Sequence, residues 1–130
     1  VLVVEDNNAD VFLIRRAVEA SGVPLDLHVV NDGSAATGFF DAADANPEAP
    51  CPDLILLDLN LPRKNGDEIL RHLRKSPRCR NARVVIMTSS DSPRDRELLV
   101  EFGVWEYFRK PSDYAAFMKL GGLVSQAFEK

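Results

Sequence analysis

Short apolar runs alternate along this chain with segments whose apolar positions recur every three to four residues. Val1–Val4, Leu25–Val30, Leu54–Asp58, Val84–Thr88 and Tyr107–Arg109 read as strands. Asn8–Ser21 reads as a helix with Val11, Ile14 and Val18 on one face and Asn7 or Asn8 as cap. Gly22 and Pro24 stop it. Gly33–Ala43 reads as a second helix with Ala36, Phe39 and Phe40 turned inward. Asn65–Ser76 carries Asp67 and Glu68 in its first turn and Arg71, Arg74 and Lys75 at its end, the polarity that a helix dipole favours. Pro93–Phe102 is the fourth helix and Ser112–Glu129 the fifth, capped by Ser112 and weakened in its middle by Gly121 and Gly122. Five strands alternating with five helices predict an α/β domain, a parallel sheet covered on both faces. Runs such as "LILL" and "VVIM" suit strands buried on both sides. A long proline-rich loop, "ADANPEAPCP", precedes the third strand.

The 130 residues suffice for one domain, 1–130, with its own core. A net charge of −4 supplies no basic stripe, which argues against a nucleic-acid partner. No apolar run approaches the roughly 20 residues that span a bilayer, and Val1–Val4 is too short for a signal peptide. A cytoplasmic protein is expected. Cys51 and Cys79 lack CxxC spacing and read as cytosolic thiols. A disulfide stays open, because each cysteine precedes a predicted strand.

The strand ends carry the candidate chemistry. In a parallel sheet all C-terminal strand ends lie along one edge, where open α/β sheets bind ligands. There the first strand ends in Glu5–Asp6, the third in Asp58, the fourth in Thr88–Ser89–Ser90 and the fifth in Arg109–Lys110. Singly, each has a bland reading: a helix cap, a turn acceptor, a β-branched strand residue, a solvated lysine. Together they place three carboxylates, a hydroxyl and an ammonium on one rim. Two carboxylates about 4 Å apart repel by about 4 kcal/mol at an effective dielectric of 20. Such a cluster shifts its pKa values or recruits a cation. Hard oxygen ligands with room for water suit Mg²⁺. Lys110 offers a point charge to a phosphate oxygen, and Asp58 a carboxylate nucleophile.

With these residues in place, the sequence resembles the receiver domains of two-component response regulators. The resemblance spans essentially the whole chain and rests on "VLVVEDN", "DLILLDLNLPRKNG", "VVIMTSSD" and "YFRKPSD", in that order. It implies a flavodoxin-like, doubly wound five-stranded parallel sheet of order 2-1-3-4-5 with five helices. It further implies Asp58 as phosphoacceptor and Mg²⁺ held by Asp6, Asp58 and the Asn60 main-chain carbonyl, with Glu5 contributing indirectly. Thr88 and Lys110 would bind the phosphoryl group. Thr88 and Tyr107 would be the switch pair. The Lys110–Pro111 bond is often cis in that family, which helps aim the lysine. Asn60 and Ser90 would flank the water that slowly hydrolyses the acyl phosphate.

The implied donor is a sensor histidine kinase or a histidine phosphotransfer protein. The "LDLNLP" wording and the long loop before Cys51 look like the single-domain regulators that partner bacterial phytochromes. Kinase docking on the first helix and the loop after strand five would involve Val11, Arg15, Pro111 and Ser112. Homodimers in the family use the face from helix four to helix five, near which Trp105 is the interface candidate and Phe108 the core residue. With no DNA-binding segment after the last helix, output through protein contact is expected. His28 and His72 read as structural. Three other classes compete. A haloacid-dehalogenase-type phosphatase would place DxD after its first strand. A flavodoxin-like electron carrier would need a glycine- and hydroxyl-rich loop where this chain has "EDNNAD". A receiver-like module that is never phosphorylated would have no use for the complete residue set.

Overall fold

The structure is a computed structural model, and it describes residues 1–59, 66–89 and 93–128. In chain order the elements are β1 (Leu2–Val4), α1 (Asn8–Ala20), β2 (His28–Val30), α2 (Gly33–Ala45), β3 (Leu54–Asp58) and α3 (Gly66–Lys75). They continue with β4 (Arg83–Thr88), α4 (Pro93–Glu101), β5 (Glu106–Arg109), α5 (Tyr114–Phe117) and α6 (Leu120–Ala127). All strand pairs are parallel, in the order β2-β1-β3-β4-β5. This is the doubly wound sheet that the alternation predicts.

Period-2 alternation within the strands splits the core in two. Leu2, Val4, Ile55, Leu57, Val84 and Ile86 face α2, α3 and α4 through Phe40, Leu70 and Leu98. Val3, Leu54, Leu56, Val85 and Met87 face α1, α5 and α6 through Ile14, Phe117 and Val124. Every residue of β1 and β3 is buried, which is why "LILL" shows no polar alternation.

Several boundaries differ from the sequence reading. β2 begins at His28, because β1 offers partners only to His28, Val29 and Val30. The fifth helical region is drawn in two pieces, and Asp113, not Ser112, caps its start by accepting from the Ala115 N–H. Gly121 is not a weak point there. A Cβ on it would lie 2.5 Å from the Ala17 carbonyl oxygen, so it lets α6 rest on the backbone of α1. Asn7 caps α1. Arg74 does more than end a helix: its guanidinium donates to the carbonyls of Arg80, Ala82, Phe102 and Gly103, tying α3 to the entries of β4 and β5. Cys51 and Cys79 form a disulfide with a Cα–Cα distance of 5.3 Å, which overturns their reading as free thiols. The cause is topological. β3 and β4 are paired neighbours running the same way, so the segments that enter them meet. The argument from free thiols for a reducing compartment goes with it. No helix among the described residues is long and apolar enough to cross a membrane.

Candidate phosphoryl-transfer site

β1 delivers Glu5 and Asp6, β3 delivers Asp58, and β4 and β5 deliver Thr88 and Lys110, all at the C-terminal edge. The backbone fixes each one. The Glu5 N–H donates to the Val30 carbonyl at 3.0 Å, and the Lys110 N–H to the Thr88 carbonyl at 2.7 Å. Asp58 is the last residue of its strand, opposite Met87, and Thr88 stands opposite Arg109. The ladder therefore brings together residues 5, 58, 88 and 110, which lie far apart in sequence.

One carboxylate oxygen from each of Glu5, Asp6 and Asp58 lies within 4.8 Å of the others. Glu5 and Asp58 are buried and Asp6 is exposed. The Lys110 Nζ donates to Glu5 Oε2 at 2.7 Å, to Asp10 Oδ2 at 2.8 Å and to Asp58 Oδ2 at 3.3 Å. An ammonium has three protons, and each is directed at a carboxylate. Burial pushes Glu5 up to about 7, with Asp58 adding to the rise and Lys110 opposing it. Burial would lower Lys110, but its bonds to Asp10 and Glu5, together with Asp58 nearby, hold it above the ordinary lysine range.

Three carboxyl groups thus hold one ammonium and a fourth, Asp6, lies beside two of them, so the rim keeps an excess of negative charge. All the donors are hard oxygens, one of them open to solvent. That set fits a divalent cation of the magnesium class better than a thiolate- or imidazole-seeking metal.

The structure places the remaining candidates in different ways. Thr88 is fully buried at the end of β4. Tyr107 is half-buried, packs on the first core cluster and lies under the Arg96 guanidinium, 4.9 Å from its ring centroid. Asn60 and Ser90 lie outside the described residues. No peptide bond among the described residues is cis, Lys110–Pro111 included, so the expected cis bond is absent. The trans form is the lower-energy one, and three carboxylates already aim the lysine. Val11 is half-buried on α1, Arg15 is exposed beside it, and Pro111 and Ser112 flank the site end of β5. Trp105 stands before β5, away from Lys110, partly packed on the second core cluster with Arg83 over its ring. Phe108 meets Phe117 edge to face at 5.7 Å, as a core residue should. His72 pairs with Asp41, and His28 lies against Phe39.

Two residues escaped the sequence reading. Asp10 stands in the first turn of α1, three residues after its Asn7 cap, and reaches Lys110 from there. Phe12 is 54% exposed, with Arg16 over its ring. Its position off the Val11–Ile14–Val18 face was the available signal.

Comparison with known proteins is consistent with this geometry. Residues 1–120 match the family model described as the response regulator receiver domain. The response regulator Rcp1 of Synechocystis sp. is 33% identical over 120 residues, 92% of this chain and 82% of that protein. The crystal structure of the phosphorylated cyanobacterial phytochrome response regulator RcpA superposes with a TM-score of 0.84 at 32% identity, covering 96% of this chain and 89% of that one. The Mn²⁺-bound form of Rcp1 gives 0.83 at 32% identity, covering 96% and 90%.

Proposed function

This chain belongs to the response regulator receiver domains, and from that premise we propose that Asp58 is its phosphoacceptor. The phosphatase and electron-carrier readings fall away with the family match. The observation that carries the proposal is the Lys110 ammonium, 3.3 Å from Asp58 Oδ2 at the rim where Glu5, Asp6 and Asp58 converge.

A phosphohistidine on a sensor kinase or a phosphotransfer protein is the donor. An Asp58 oxygen attacks phosphorus, the P–N bond breaks, and the departing imidazole takes up a proton. The product is an acyl phosphate on Asp58. Lys110 binds a phosphoryl oxygen as a point charge, and the Thr88 hydroxyl donates to another. The strands hold these groups rigidly, and positioning with charge neutralisation is most of what phosphoryl transfer requires. Mg²⁺ would be held by Asp6, Asp58 and the Asn60 carbonyl, with Glu5 behind them, and would neutralise charge on the transferring group. The Mn²⁺-bound relative supports a divalent ion there. Residues 1–130 act as one receiver unit, a signalling module whose only chemistry is self-phosphorylation and slow loss of the phosphoryl group.

The phosphorylated state shifts a conformational equilibrium. Moving it from 1:99 to 99:1 takes about 5.5 kcal/mol. One charge-assisted hydrogen bond gives about 1.5–3 kcal/mol, so Thr88 and Lys110 must act together, with Tyr107 following. Likeness to phytochrome-associated regulators supports a phytochrome-type kinase as partner. It would dock on α1 and the loop after β5, at Val11, Arg15, Pro111 and Ser112. The exposed Phe12 fits the same face, and Val100, 89% exposed on α4, fits a homodimer through the face from α4 to the fifth helical region, α5 with α6. Labelling with phosphoramidate and Mg²⁺ tests the central assignment. Wild type should incorporate one phosphoryl group, and an Asp58→Asn protein that still labels would refute it.

A further inference from the structure

Among the described residues, Asp10 is the one carboxylate on Lys110 that stands outside the Glu5–Asp6–Asp58 cluster. Its contact with the ammonium, at 2.8 Å, is shorter than that of Asp58, at 3.3 Å. Both partners are held from behind. The Asp10 N–H donates to Asn7 Oδ1 at the cap of α1, and the Lys110 N–H to the Thr88 carbonyl. The Asp10 side chain is 24% exposed, against 1% for Glu5 and 7% for Asp58.

All three protons of the lysine are engaged; the one on Asp58 can pass to the phosphoryl group, but drawing the ammonium fully onto that group means loosening Glu5 or Asp10. A divalent ion in the cluster would weaken the hold of Glu5 and Asp58 on Lys110, because both carboxylates then share their charge with it. Asp10 gets no such relief. We infer that Asp10 is a resting-state counter-ion that retains Lys110, and that loosening this ion pair is part of the cost of phosphorylating Asp58. Asp10 is thereby a positioning residue acting through Lys110, and it sets how readily the site accepts a phosphoryl group. The inference rests on the reading of Asp58 as phosphoacceptor.

The test compares wild type, Asp10→Asn and Asp10→Glu for the initial rate of labelling by phosphoramidate with saturating Mg²⁺. Affinity for Mg²⁺ alone is measured in parallel by calorimetry. Removing the charge should raise the rate by about threefold or more, the scale of one partly exposed ion pair. Asp10→Glu should restore a rate near that of wild type, and Mg²⁺ affinity should change by less than about threefold in either variant. Asp10→Ser makes the same comparison if the Asn variant fails to fold. An unchanged or slower rate in a folded neutral variant overturns the inference. So does a tenfold loss of Mg²⁺ affinity, which would make Asp10 a metal ligand. Failure of wild type itself to label would sink the phosphoacceptor reading instead, so the two failures are distinguishable.

Discussion

At the C-terminal edge of the sheet three carboxyl groups hold one ammonium with a fourth close by, while at the opposite edge two guanidinium groups donate to neutral carbonyls. Arg74 donates to four carbonyl oxygens there, and Arg78 to those of Ala43, Asn46 and Ala49. The Cys51–Cys79 disulfide closes the same edge. Both edges gather charge, the lower one with Arg74 half-buried and Arg78 exposed. The lower one satisfies that charge with fixed dipoles and needs nothing more. The upper one is left with more negative groups than its lysine can balance, so binding a cation or rearranging around a phosphoryl group changes its energy greatly. One edge stabilises the fold, and the other keeps a site ready to respond.

Substitutions should separate the two edges. The largest effect is on chemistry: Asp58→Asn should reduce labelling by phosphoramidate to background without lowering the melting temperature of the metal-free protein, because it relieves like-charge repulsion. A clear loss of stability would mean that the upper edge also holds the fold together. Next comes the disulfide. Replacing both cysteines by alanine should cost about 3.5 kcal/mol in urea unfolding, the scale for closing a loop of this length. Labelling of the folded protein should be unchanged, and a parallel loss would show the edges to be coupled. Arg74→Met should cost about 2 kcal/mol through the carbonyls it leaves unpaired, again with labelling retained.

The same contrast explains what could be read from the sequence. Glu5, Asp58, Thr88 and Lys110 were legible because each directly ends or follows a strand, and a parallel sheet aligns such ends whatever the details. Asp10 was not, because its reach depends on where α1 starts and how its first turn is directed. The cysteine pair stayed undecided for a related reason. Loops bring Cys51 and Cys79 together, and only the β3–β4 adjacency fixes their distance. Gly121 looked like a helix breaker because its compensation, the backbone of α1, lies about a hundred residues away in sequence. Periodicity reports which face is buried, and says nothing about what a side chain meets beyond it.

The smallest effect concerns Glu5 and has a sign that can be worked out in advance. Burial raises this carboxyl from an ordinary 4.5 to about 7, so between those values the folded chain holds a proton that the unfolded chain has released. Stability must then fall as pH rises across that window. The slope has a ceiling of 1.36 kcal/mol per pH unit, and relaxation around Lys110 brings the total to about 1–2 kcal/mol. Lys110 stays charged in both states throughout, so it adds no slope of its own. Urea unfolding in EDTA from pH 4.5 to 7.5 should show the decline, after correction with the Glu5→Gln protein, which should lack this component. Saturating Mg²⁺ should reverse it, since a cation favours the ionised carboxylate. A wild-type curve that runs parallel to that of Glu5→Gln would mean Glu5 is already ionised at pH 5, and the negative excess at the upper edge would be larger than the resting structure needs to shed.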